Sequence, residues 1–189
     1  KIYNEKKDNN FNCKIMIGHS GYEFLNHIEI MKKLIRFKDQ NIIISLVLAY
    51  GDNEYIKKVK EFAYNNFEKN KIEIIENLYT DEQYMRYLNS VDVAIFDYTH
   101  QAALGNIWKL SYLEKRMFLK DRGILKTAFD LEFLYSNDIR ELDTISFEEI
   151  SSMLPLKEKE KLHKYGELYM DDESIKELWN KVFRYLENE

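Results

Sequence analysis

Asn41 to Leu48, Asn-Ile-Ile-Ile-Ser-Leu-Val-Leu, is the stretch that most limits what this chain can fold into. It is almost continuously apolar, whereas a strand with one wet face would alternate. Such a run marks a strand covered on both faces, the habit of parallel sheets. Shorter runs of the same kind recur at Ile15 to Ile17, Lys71 to Glu76, Val91 to Phe96 and Lys115 to Leu119, with a short one near Ile139 to Leu142. Between them the apolar spacing turns helical. Ile28, Met31, Leu34 and Ile35 follow Asn26, and Tyr55, Ile56, Val59, Phe62 and Ala63 follow a break at Tyr50 to Asn53 where Asp52 or Asn53 can cap. Thr80 and Gln83 have the form of a capping box opening a helix through Tyr84, Tyr87 and Leu88 to Ser90. Ile107, Leu110, Tyr112 and Leu113 mark another helix, and Thr127 to Tyr135 a further one. Strand and helix in strict alternation predict an α/β fold, an open parallel sheet with helices on both faces.

From Ser146 onward the pattern is helical only: Ser146 to Met153, Lys157 to Tyr169 and Ser174 to Leu186, with Pro155 between the first two. The last helix carries a stripe of Ile175, Leu178, Trp179, Val182 and Tyr185, expected to pack on the core, with Asp171 or Asp172 as its cap. One domain spanning 1–189 is therefore expected, with an α/β sheet over 12–143 and a helical extension over 146–189. Because the chain opens on Lys1, it is expected to be a piece of a longer protein.

A hydrophobic content of 45% excludes a disordered chain, and a net charge of −5 leaves no global basic footprint for nucleic acid. No apolar run is long enough to span a bilayer. Lys1 to Asn12 is polar and charged, so no signal peptide is expected before the first strand. A single cysteine, Cys13, forms no internal disulfide, which fits a reducing cytoplasm, and it is expected to pack as a small apolar side chain.

In doubly wound sheets ligands sit beyond the carboxyl ends of the strands. The loops at those ends are Gly18 to Asn26, Tyr50 to Asn53, Asp97 to Asn106 and Lys120 to Gly123. The first opens Gly18-His-Ser-Gly21. Together with the third it is rich in small and polar residues and runs into a helix. Glycines admit a close backbone approach, and helix N-termini favour negative charge, so two such ends converging on one cleft suit a diphosphate. A plain connecting turn is the competing reading of Gly18 to Gly21. Of the four histidines, none forms a zinc-spaced pair on one helix, and no metal site is expected. His19 and His100 fall in the two candidate loops, as phosphate hydrogen-bonding groups or as structural residues. Asp92 is expected to cap or to hold a loop. Asp97 can meet ligand or orient its own loop. No P-loop, G-x-S-x-G elbow or G-x-G-x-x-G fingerprint is present.

Gly18-His-Ser-Gly21 followed by Asn26-His-Ile-Glu29 resembles the G-N-S-x(n)-N-x-H-x-E opening of the donor-binding half of bacterial 4-alpha-L-fucosyltransferases, glycosyltransferase family 56. These are the TDP-N-acetylfucosamine:lipid II N-acetylfucosaminyltransferases. The similarity continues through Tyr50-Gly51, Tyr55-Ile56 and Val59, then Tyr84 to Ser90 leading into Val91 to Phe96, then Gln101 and Gly105, and its order holds from Lys14 to Leu142. His19 stands where the family carries Asn, and Ala103 where a second glycine is usual. The resemblance implies a Rossmann-like carboxyl-terminal half of a GT-B glycosyltransferase. It implies transfer of an N-acetylated amino-fucose from a dTDP-sugar to a polyprenyl-diphosphate-linked saccharide at the cytoplasmic face of the bacterial inner membrane, by a peripheral protein. No cofactor or metal is implied. The general base would come from an amino-terminal half that this chain lacks, so the isolated domain would bind donor and transfer poorly. By the same resemblance Gly18, Ser20 and Gly21 would line the diphosphate, and Gln101, Leu104 and Gly105 would meet phosphate or sugar. Tyr50 and Gly51, or Leu78 and Tyr79, would flank the base, with His19 and His100 as further donor contacts. The alternatives are a non-catalytic nucleotide- or partner-binding module, and a GT-B transferase using a UDP- or GDP-sugar.

Overall fold

A computed structural model describes residues 12–187. Within them six strands form one parallel sheet: β1 (Cys13–Ile17), β2 (Ile42–Val47), β3 (Ile72–Ile75), β4 (Val93–Phe96), β5 (Arg116–Leu119) and β6 (Asn137–Asp138). Their order is β3-β2-β1-β4-β5-β6. Ile15 and Ile17 of β1 belong to a core with Ile30, Met31, Leu34, Val59 and Ala63, while Met16 belongs to a second core with Leu88, Phe96, Ile107 and Leu110. Both faces of the strand are thus covered, as the unbroken apolar runs require.

The first core is covered by α1 (His27–Leu34) and α2 (Asn53–Asn66), and the second by α3 (Asp81–Ser90), α4 (Leu104–Tyr112) and α5 (Ile124–Leu131). Asp52 caps α2, its Oδ1 accepting from the Tyr55 amide at 2.7 Å. Thr80 and Gln83 close the capping box of α3 in both directions. Asp92 accepts from the Lys14 amide at 2.9 Å, and Cys13 is buried as a free thiol. Beyond the sheet come α6 (Phe147–Ser151), α7 (Leu156–Met170) and α8 (Asp172–Glu187). Leu162 of α7 joins the second core, and Trp108 stacks on Tyr169 with centroids 5.0 Å apart.

Three expectations are corrected. The helix expected over Thr127 to Tyr135 lies at Ile124–Leu131. It ends in a Schellman turn in which the Leu134 amide reaches the Phe129 carbonyl at 2.8 Å and Phe133 takes the left-handed conformation, φ 53°. The strand expected near Ile139 to Leu142 is shorter and earlier, Asn137–Asp138, and Ile139–Asp143 is a 3₁₀ turn capped by Asp138. The stripe on α8 was expected to pack on the core, yet Trp179 is 57% exposed, and Ile175 and Leu178 are half-buried and belong to neither core. The side chains of Val182 and Tyr185, like residues 1–11, lie outside what is described.

The chain winds from β1 to β2 and β3 on one side and to β4, β5 and β6 on the other, so the crevice of the sheet opens at the carboxyl ends of β1 and β4. There the Gly18 amide donates to the Ile95 carbonyl at 3.1 Å, and the Asn26 side-chain amide donates to the Asp97 carbonyl at 2.8 Å.

Candidate functional site

The loop after β1 is held from three sides. Gly18 is left-handed, φ 64°, and a Cβ there would lie 2.7 Å from Nε2 of His27, which is fully buried in the first turn of α1. Gly21 forms a parallel bridge with Gly51: its amide donates to the Tyr50 carbonyl at 2.6 Å, and its carbonyl accepts from the Asp52 amide at 3.0 Å. A Cβ on Gly51, whose φ is 143°, would meet the Gly21 backbone at 2.4 Å. Gly21 and Gly51 therefore lash the first two loops together, and the Gly21 amide is committed to protein.

The two helix starts differ, which corrects the expectation of two open N-termini. At α1 the Tyr55 hydroxyl, reaching from α2, accepts from the His27 amide at 3.1 Å and also bonds Ile28. That end is closed by a phenol. At α4 the cap is Ala103, left-handed at φ 55° with no side-chain hydrogen bond, and the first turn carries no acidic residue. A Cβ on Gly105 would meet nothing within 4 Å. The amides of Leu104 and Gly105 lack intrahelical partners by position, so this end presents donors and positive dipole to the crevice.

Beside it lies a cavity of about 190 Å³. Val47, Ala49 and Ile75 form its apolar floor, with Tyr50, Leu78, Tyr79 and Tyr84 around it. His19, Asn77, Asp81 and Asn106 supply polar groups. Asn106, in the first turn of α4, is hydrogen-bonded by Tyr84, whose hydroxyl is pushed up by burial. His19 from the first loop and Asn106 from the third thus line one cavity that runs to the open helix end.

Both inner histidines are neutral at pH 7. His19 is lowered to about 4 by burial and then by His100, and His27 to about 4 by burial and then by His19. Nδ1 of His19, Oγ of Ser20 and both ring nitrogens of His27 are buried with no hydrogen-bond partner. Asp97 is buried, with its Oδ1 2.7 Å from Nζ of Lys120 and its carbonyl held by Asn26, so it orients its loop. Of the expected donor-site residues, His100, Gln101 and Gly105 are exposed, Leu104 is half-buried, and Gly18 and Ser20 are buried beneath the loop. Of the residues expected to flank a base, Tyr50, Leu78 and Tyr79 line the cavity and Gly51 does not. Sequence reasoning missed His27, Tyr55, Asn77, Asp81, Tyr84 and Asn106. The capping box at Thr80 was the available signal, since it puts Asp81 and Tyr84 in the first turn beyond the end of β3. Among the described residues no three His, Cys, Asp or Glu side chains gather as a metal site.

The family model described as 4-alpha-L-fucosyltransferase glycosyl transferase group 56 matches residues 1–171. No curated protein matches the sequence. A glycosyltransferase from Rickettsia africae superposes with TM-score 0.67 at 15% identity, over 95% of this chain and 48% of that one. An alpha,alpha-trehalose-phosphate synthase (UDP-forming) from Burkholderia xenovorans gives 0.63 at 10% identity, over 93% and 44%. The C-terminal domain of a glycosyl transferase group 1 family protein from Francisella tularensis gives 0.59 at 11% identity, over 81% of each chain. This chain spans less than half of the first two. At these identities the likeness shows the fold, the Rossmann-like half of a GT-B glycosyltransferase.

Proposed function

We propose that this chain, which belongs to the 4-alpha-L-fucosyltransferase family (glycosyl transferase group 56), is the donor-binding half of a glycosyltransferase. The observation that carries this reading is the convergence of the loops after β1 and β4 on one cavity beside the uncapped start of α4. In this reading the nucleobase enters the cavity between Tyr50, Leu78, Tyr79 and Tyr84. The diphosphate lies over the Leu104 and Gly105 amides, with His19, His100 and Gln101 within reach of its oxygens.

The reaction breaks the bond between the sugar's anomeric carbon and the diphosphate oxygen, while an acceptor hydroxyl forms the new bond and gives its proton to a base. Charge builds on the leaving diphosphate. Fixed amides and the α4 dipole stabilise that charge without reorganising, which is where this domain contributes to rate. The finer reading is an N-acetylated amino-fucose carried on dTDP and a polyprenyl-diphosphate-linked saccharide as acceptor, handled by a peripheral protein at the inner membrane. The base and the acceptor site would lie in a second half outside this chain, so the isolated domain binds donor and transfers poorly. Among the described residues no helix is long and apolar enough to cross a membrane.

A thermal-shift panel of dTDP, UDP, GDP and NAD tests the reading. A ligand at about one hundred times its Kd adds about 2.7 kcal/mol to folding stability. In a domain of this size that is a rise of roughly 5–10 °C. A rise with dTDP above all supports the finer reading, and one with UDP or GDP above all moves the base assignment. A response to NAD alone overturns the transferase reading.

A further inference from the structure

Tyr22 and Phe24 belong to neither core, although both are large aromatics in a well-anchored loop. They are 43% and 42% exposed, and their rings stack on each other with centroids 5.8 Å apart and planes 10° from parallel. The short 3₁₀ turn Glu23–Leu25 holds them outward, because Leu25 is fully buried and the Leu25 amide donates to the Tyr22 carbonyl at 3.1 Å. Asn26 closes that turn and is itself tied to the Asp97 carbonyl. The pair is continuous with both ends of the crevice. Tyr22 meets Tyr50, a wall of the cavity, edge-on at 6.3 Å. Phe24 meets His100, on the loop that leads into α4, at 4.6 Å, and Tyr98 at 6.3 Å.

We infer that Tyr22 and Phe24 form a preorganised aromatic platform that takes the C–H face of a hexopyranose ring. The inference rests on the donor-site reading for the position of the diphosphate. Pyranose rings carry hydroxyls around their edge and C–H bonds on their faces, so a flat apolar surface buries the face and leaves the hydroxyls wet. A ring already fixed by its neighbours loses little freedom on binding. A nucleobase has the cavity available, whereas a sugar linked to the far phosphate must lie outside the cavity, on the side of loop 97–103 that Phe24 covers. Two sources share this chemistry, the donor's own sugar and the saccharide of the acceptor.

Calorimetry on the wild-type chain, Phe24→Ala and Phe24→Leu, with dTDP, dTDP-glucose and free N,N′-diacetylchitobiose, tests the platform. Phe24 is exposed, so both variants fold, and Leu keeps bulk while losing the ring face. Expected is an unchanged Kd for dTDP and a roughly two- to tenfold weaker Kd for dTDP-glucose in both variants, the range of one aromatic contact. That result makes the donor sugar the occupant. Loss of chitobiose binding with the dTDP-glucose to dTDP ratio preserved makes it the acceptor saccharide. Equal weakening of dTDP and dTDP-glucose overturns the inference, because the platform then takes the base. No change with any ligand overturns it too. If the wild-type chain binds no dTDP, the donor-site reading fails, and the chitobiose comparison alone decides the platform.

Discussion

Replacing Gly105 with leucine is expected to separate binding from folding. A Cβ at Gly105 meets no atom within 4 Å, and the residue is exposed in the first turn of α4. Nothing in the fold opposes the substitution. Losing a glycine's extra backbone freedom in a helix favours the folded state by about 0.5–1 kcal/mol. For a chain of this length that leaves Tm unchanged or raises it by roughly 1–4 °C. The isobutyl group, however, fills the space over the Leu104 and Gly105 amides. A hydrogen bond to a charged group is worth about 1.5–3 kcal/mol, so losing two costs about 3–6 kcal/mol and weakens Kd by at least about a hundredfold. Calorimetric titration of dTDP and a melting curve in the same buffer measure both quantities. An unchanged Kd would remove the start of α4 from the site. A Tm several degrees lower would show that Gly105 packs against protein, refuting the geometry on which the phosphate position depends.

Two further outcomes test the frame around the site. Gly51→Ala puts a methyl 2.4 Å from the Gly21 backbone at a φ that side chains avoid, so a loss on the order of 3 kcal/mol is expected in urea unfolding. Wild-type stability in that variant would mean that the bridge between the two loops is dispensable. The pH profile follows from His27, whose pKa lies near 4 in the folded chain against 6.5 for an unperturbed histidine. As pH falls below 6.5 the unfolded state takes up the proton first, so stability is full above that pH and falls steadily toward 4. The loss reaches about 2 kcal/mol by pH 5. Urea midpoints at pH 7.5 and pH 5.0 measure it, and His27→Asn should remove that share of the difference and leave the share of His19, which burial lowers in the same way. A flat wild-type profile would contradict a neutral buried imidazole.

The layered fold was legible because parallel strands carry their burial in their composition. Asn41 to Leu48 reads as β2 from its apolar run, and Thr80 with Gln83 reads as the start of α3 from local hydrogen-bonding chemistry. What escaped depends on contacts with distant residues or on residues in unusual roles. The end of α5 was invisible because Phe133 takes the left-handed position where glycine is the usual signal. The short β6 escaped because Asn137 and Asp138 have no apolar pattern, and Asn137 is buried by its bond to Arg116 instead. On α8 the helical spacing was right, but spacing alone does not say which surface covers the stripe: Ile175 and Leu178 are only half-buried and Trp179 faces outward.

The glycines show most clearly why a site's neighbourhood can be read from sequence while its contacts cannot. Gly18, Gly21 and Gly51 all lie in the loops where glycine suggests close approach by a phosphate. Each is instead required by protein: Gly18 by the His27 ring, Gly21 by the side chain of Ile56, and Gly51 by the backbone of Gly21. Gly105 alone among these loop glycines has open space where its side chain would be. The absence of a Cβ is one fact in the sequence with two opposite causes, a crowded backbone or a ligand's approach. Only the neighbouring atoms distinguish them. The same holds for the helix starts, since Tyr55 closes α1 from a helix that begins 26 residues after His27, at Asn53, and nothing in residues 18–29 announces it. On the donor-site reading the anion cradle therefore reduces to one helix end, α4, and the loop after β1 would be the wall that aims a ligand toward it.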